Sequence, residues 1–105
     1  MEPDSLSLKI LIRPPAGLPR QAVATFLGNC RSGLPALQDA IQRLDFDFVR
    51  VYGHRMKGCG APYGFPKLTE TGAALEQSAR AGNAGELRRY AAILGAYLDA
   101  VELEA

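Results

Sequence analysis

The chain has no tryptophan, a single histidine and two cysteines in 105 residues, and each scarcity excludes something. Two cysteines in a chain expected to carry no export signal do not make a disulfide framework, so Cys30 and Cys59 are expected to be reduced, buried thiols. A metal site built from Cys30, His54 and Cys59 would have the wrong spacing for the short zinc motifs and no evident fourth ligand. No stretch approaches the ~20 apolar residues of a membrane span. Leu6 to Ile12 is too short for a signal peptide and lacks a basic leader and a cleavage site, so a cytoplasmic protein with no membrane partner is expected. The net charge of +1, with Lys and Arg spread along the chain, gives no case for nucleic acid as a partner. There is no GxxxxGK[ST] run, and Asp39, Asp45 and Asp47 are too scattered for a metal-assisted phosphoryl site, so no cofactor is expected on this chain.

What is present suits one small helical unit, since 48% apolar residues can bury a single core. Residues 1–19 differ from the rest. Leu6, Leu8, Ile10 and Ile12 alternate with Ser7, Lys9 and Leu11, a period of two that predicts a short extended segment. Val101, Glu102, Leu103 and Glu104 alternate as well, which leaves two readings open: the two ends pair, or the last helix continues through them. Pro14, Pro15, Gly17 and Pro19 interrupt helix and ladder alike and make a stiff lead-in, with Pro19 suited to a first helical turn.

From residue 20 to 105 the spacing predicts a helical bundle domain. Val23, Leu27, Cys30, Leu34, Leu37, Ile41 and Leu44 step by four and three, with Gly33 and Pro35 predicting a kink or break near Ser32. Asp45 is a suitable N-cap for a second helix to about Ala61, with Val49, Tyr52, Met56 and Cys59 facing inward. Pro62 and Gly64 end it. A third helix follows with Phe65, Leu68, Gly72, Leu75 and Ala79 as its core face. Gly82 stops the third helix, and Asn83 with Glu86 starts a fourth running to about Leu103 on the seam Leu87, Ala91, Leu94, Leu98 and Val101. The expected fold is all-α, an antiparallel up-and-down four-helix bundle with a short extended N-terminal segment.

The lone histidine lies in Gly53-His54-Arg55-Met56-Lys57-Gly58. On a helix, Lys57 falls ~60° to one side of His54 and Gly58 ~40° to the other, while Met56 is ~160° away, so His54 faces outward. The stripe combines a nucleophilic imidazole, a cation that can offset phosphoryl charge and a glycine that admits a close partner. By itself HxxKG is a short pattern, equally compatible with a solvated helix face. Its setting is more specific. The helical stretch Phe26 to Leu44, Asp45, the His54 to Gly58 motif, Gly64 ten residues after the histidine, and Leu75-Glu76 closing the next helix occur in the order of a known family. Over residues 20 to 102 the chain resembles the histidine-containing phosphotransfer (HPt) domain.

The resemblance implies a phosphoryl carrier with no ATP site of its own, rather than a conventional enzyme. It implies that His54 accepts a phosphoryl group from a receiver-domain aspartyl phosphate and passes it to another receiver aspartate. Lys57 would steady the phosphoryl charge and Gly58 would clear room for the receiver. Glu76 falls where the family often has a glutamine that orients the histidine through its other nitrogen; the alternative is an ordinary solvated helix residue. The implied partners are response-regulator receiver domains or a hybrid sensor kinase, with Mg²⁺ supplied by the receiver. The expected contact surface draws on Arg50, Val51, Arg55, Lys57, Gly58 and Ala61, with Phe26 either an anchor or a core residue. The turn Tyr63-Gly64-Phe65 departs from the small apolar residues usual there, so Tyr63 lies near the histidine or plugs the end of the bundle. A module of the same fold that docks and blocks a receiver or kinase without carrying phosphate is the second hypothesis; a small-molecule or metal-binding bundle is the third.

Overall fold

The computed structural model describes residues 9–104; the Leu6 to Leu8 part of the alternating segment lies outside them. The described chain is mostly helical: β1 (Ile10–Ile12), α1 (Arg20–Gln42), α2 (Phe46–Cys59), a short 3-10 helix (Ala61–Tyr63), α3 (Pro66–Arg80), α4 (Ala84–Ala100) and β2 (Val101–Leu103). Helix α1 packs on α2 and α4, and α3 packs on α2 and α4, so the four close around one core. The largest fully buried side chains are Phe65, Leu37, Leu68, Leu75, Leu87, Leu94 and Leu98. Among the described residues no helix is long and apolar enough to cross a membrane.

Of the kink or break expected near Ser32, the break does not occur: helix α1 runs continuously through Gly33 and Pro35. Pro35 is on the exposed face, so its ring meets solvent rather than the core. A proline inside a helix costs about 3 kcal/mol. Burying Val23, Leu27, Leu37 and Ile41 on the opposite face, at roughly 1.5–3 kcal/mol for each large aliphatic, outweighs that. The seam ends earlier than its period suggests: Leu44 is 55% exposed because it reverses the chain at φ 59°. Leu44 N–H donates to Ile41 O (3.0 Å) and Asp45 N–H to Ala40 O (2.8 Å), a Schellman closure with leucine where glycine is usual. Helix α3 closes the same way around Gly82.

Both expected N-caps are formed, with Asp45 accepting from Phe48 N–H and Asn83 from Glu86 N–H. Helix α2 ends at Cys59 rather than Ala61, as the chain tightens into the 3-10 turn that holds Pro62. Its inward stripe is also rotated. Val49, Gly53, Met56 and Gly60 are buried, Tyr52 is half-buried, and Cys59 is exposed, against the expectation of two buried thiols.

Of the two readings of the chain ends, the structure takes the pairing. β1 and β2 run parallel with Ile10 opposite Val101, Leu11 opposite Glu102 and Ile12 opposite Leu103. Helix α4 therefore ends at Ala100, short of Leu103. Arg31 on α1 braces this exit by donating to the carbonyl of Leu98 (3.0 Å), in the last turn of α4, and to that of Val101 (2.6 Å), the first residue of β2. Val101 is fully buried, while Lys9–Glu102 and Arg13–Glu104 ion pairs flank the strands.

Candidate functional site

The site lies where α2 meets α3, and two glycines set how closely they meet. A Cβ on Gly53 would stand 2.7 Å from Glu76 N and Gly72 O, and one on Gly72 would stand 2.5 Å from Lys57 N. Only hydrogen fits at either point. The contact continues toward the end of α2, where Thr69 Oγ1 accepts from Ala61 N–H (2.7 Å) and donates to Lys57 O (3.0 Å). One hydroxyl thus satisfies a terminal carbonyl of α2 and fixes the turn that follows it.

This close approach brings Glu76 under the histidine stripe. The Glu76 side chain is 7% exposed, and its two oxygens are fully engaged. Oε1 meets Lys57 Nζ at 2.9 Å; Oε2 meets His54 Nδ1 at 3.1 Å and accepts from Arg80 Nη2 at 2.9 Å. The hydrogen bond from Lys57, then that from His54 and the charges of Lys57 and Arg80, hold the carboxyl below the usual glutamate range, outweighing the upward push of desolvation. An ionised carboxylate only accepts, so Nδ1 carries a proton and, in the neutral ring, the lone pair is on Nε2. The His54 side chain is 66% exposed, so its helix is anchored while the ring stays reachable.

The other expected site residues spread around this centre. Gly58 is exposed, and a Cβ there would meet nothing within 4 Å, so the packing of this chain places no demand for glycine at that position. Arg50 pairs with Asp47 at 2.9 Å, which leaves Arg55 the freer of the two flanking arginines. Val51 and Ala61 are exposed on α2 and on the 3-10 turn. Beside the histidine stripe, an open groove of about 560 Å³ runs between α1 and α2, lined by Phe26, Phe48, Val51, Tyr52, Arg55 and Met56 among others. Phe26 is half-buried and Tyr63 stacks flat on it (4.3 Å between centroids, 4° between planes), so Tyr63 closes the end of the helix pack against α1. Phe65 also stacks against Phe26, with 5.8 Å between centroids and 26° between planes.

In the groove wall, burial pushes the Cys30 thiol up to about 11 and the Tyr52 hydroxyl up to about 12. Among the described residues no three His, Cys, Asp or Glu side chains gather in a set that could hold a metal ion. Sequence reasoning missed Gly53, Gly60, Thr69 and Arg80. The step of four from Glu76 to Arg80 was a readable signal, and so was the buried stripe Val49-Gly53-Met56-Gly60 had the small residues been counted as inward.

No curated protein and no solved structure matches the chain significantly. The Hpt domain family model matches it over residues 21–104, which takes in the four helices apart from the first residue of α1, and the whole His54 cluster. The chain therefore belongs to the Hpt domain family and is a phosphotransfer module of phosphorelay signalling.

Proposed function

We propose that His54 is the phosphoacceptor, taking a phosphoryl group from a receiver-domain aspartyl phosphate and passing it to a second receiver. The observation that carries this is the 3.1 Å contact of His54 Nδ1 with the buried Glu76 carboxylate, on a ring that is 66% exposed. In the forward step the Nε2 lone pair attacks phosphorus, the Nε2–P bond forms, and the P–O bond to the aspartyl carboxylate breaks with its electron pair. The aspartate leaves as a carboxylate. The ring keeps its Nδ1 proton and becomes cationic, and Glu76 faces the charge as it develops. The same cationic ring is the better leaving group when the next aspartate attacks, so one carboxylate serves both directions.

Lys57 steadies the phosphoryl oxygens, and exposed Gly58 lets the receiver approach along α2. The receiver contributes the Mg²⁺ and the acidic cluster that binds it, so this domain is a carrier with no cofactor of its own. Arg50, Val51, Arg55 and Ala61 form the contact surface, with the apolar groove continuing it toward α1. An up-and-down, antiparallel arrangement of the helices accompanies this reading; the short connections between successive helices and the closed circuit of neighbours support it.

The test is incubation with a panel of receivers carrying labelled aspartyl phosphate and Mg²⁺. Label is expected to move to the wild type in an acid-labile, alkali-stable form and not to His54→Ala, whose helicity should be unchanged. Equal labelling of the two proteins would rule the phosphoacceptor out, and binding without any transfer would favour a docking module that blocks its partner.

A further inference from the structure

Glu76 has more cations than its charge requires. One buried carboxylate is met by Lys57 at 2.9 Å and Arg80 at 2.9 Å, besides the imidazole. The two cations differ in what else they can reach. Lys57 is on α2, one turn from His54, so its flexible four-carbon stem can turn from Glu76 toward a group on His54. Arg80 is on α3, one turn beyond Glu76, beside that carboxylate and on the other helix from the histidine. Moving Lys57 away from a carboxylate with no other counter-ion would leave a buried charge supported only by the imidazole, which is costly.

We propose that Arg80 is a positioning residue for phosphoryl transfer, the standing counter-ion of Glu76 that frees Lys57 to leave the carboxylate and meet the phosphoryl group on His54. The proposal rests on the carrier reading above and assigns the two cations separate duties. Before phosphorylation Lys57 and Arg80 share Glu76. Afterwards Lys57 faces the phosphoryl oxygens, while Arg80 and Nδ1–H keep both their hydrogen bonds to Oε2. Arg80 touches no reacting atom and acts through Glu76 and Lys57.

Phosphoramidate tests this without any partner protein. Nε2 attacks phosphorus, the phosphoramidate N–P bond breaks, ammonia leaves, and the ring retains its Nδ1 proton. Labelling rate is measured for wild type, Arg80→Gln, Arg80→Lys, Lys57→Gln and the Lys57→Gln/Arg80→Gln double variant. Arg80→Gln is expected to slow labelling roughly two- to fivefold, the span of a partly screened charge contact, with Arg80→Lys restoring most of the rate. In the Lys57→Gln background the same Arg80 change should have little effect, because no lysine remains to be released. A purely structural Arg80 would shift the melting temperature and give equal rate effects in both backgrounds. Wild-type labelling by Arg80→Gln, or additive losses, would overturn the proposal. Failure of receivers to transfer label would sink the carrier reading instead, since phosphoramidate labelling involves no receiver.

Discussion

Gly53 and Gly72 face each other where α2 and α3 cross, with the Cβ position of Gly53 only 2.7 Å from Gly72 O and that of Gly72 only 2.8 Å from Gly53 O. Glycine in a helix interior costs about 1 kcal/mol relative to alanine, so both helices give up intrinsic stability here to come together. Gly53→Ala and Gly72→Ala should each gain that propensity and still lose about 1–3 kcal/mol overall, because backbone has to move. Urea unfolding checks the sign, and phosphoryl acceptance should fall in parallel as Glu76 is pushed away from His54.

Gly58 gives the opposite result. Its Cβ position is open, so Gly58→Ala should leave stability unchanged or raise it by up to about 1 kcal/mol. If a receiver needs that space, transfer from the receiver slows while phosphoramidate labelling does not. Slowing of both reactions alike would remove Gly58 from the contact surface.

Glu76 makes stability depend on acid. Its carboxyl is lower in the fold than in the unfolded chain, so its contribution is complete above the ordinary glutamate range and is lost as pH falls through the depressed folded value. Glu76→Gln keeps the shape, removes the charge that binds Lys57 and Arg80, and should flatten this part of the acid limb in a series of unfolding curves. It should also slow phosphoryl acceptance, since an amide does not stabilise the cationic ring as a carboxylate does.

At the other end of the pH scale, Cys30 and Tyr52 stay neutral until about 11 and about 12. The stability they contribute is complete below their ordinary ranges and lost as pH rises through those values. Near neutral pH a thiol reagent should modify exposed Cys59 quickly, while buried Cys30 reacts only as fast as the fold opens. Two equally fast thiols would contradict the burial of Cys30.

Leu44 is a site for stabilisation. It is exposed and holds φ 59°, a conformation that penalises a Cβ by about 1–2 kcal/mol. Leu44→Gly removes that penalty at a cost in chain entropy of about 0.5–1 kcal/mol, leaving a small net gain that shows as a higher urea midpoint. A fall in the midpoint would mean that the Leu44 side chain makes a contact worth more than the strain.

Much of this was legible because helix periodicity is a strong signal. The third and fourth seams are buried residue for residue, and both polar caps form. The outward face of His54 followed from the angle to Met56, which is buried. The errors lie where a single angle or atom decides. Reading α2 by its large apolar residues put Cys59 inside, whereas its tightest contact uses glycines, which carry no hydropathy. Gly33 and Pro35 were read as a kink or break because their cost was visible in the sequence, while the burial that keeps α1 continuous was not. The Glu76 to Arg80 step of four was readable, but the role of Arg80 was not, because it depends on Oε2 of Glu76 being shared with His54 while Oε1 holds Lys57.

The short sheet also sets how the domain bears load. The β1 and β2 strands are parallel, so a pull on the chain before Lys9 and an opposite pull after Glu104 would slide the strands past each other along their length. The Ile10–Val101 to Ile12–Leu103 ladder, with Ile12 O bonded to Glu104 N–H at 2.8 Å, would then be loaded in shear, all its bonds sharing the force together. An antiparallel pair joined to the same tethers would open one bond at a time. Tension arriving through the termini is met first by this clasp, and the spacing of His54, Lys57 and Glu76 is shielded from it until the clasp gives way.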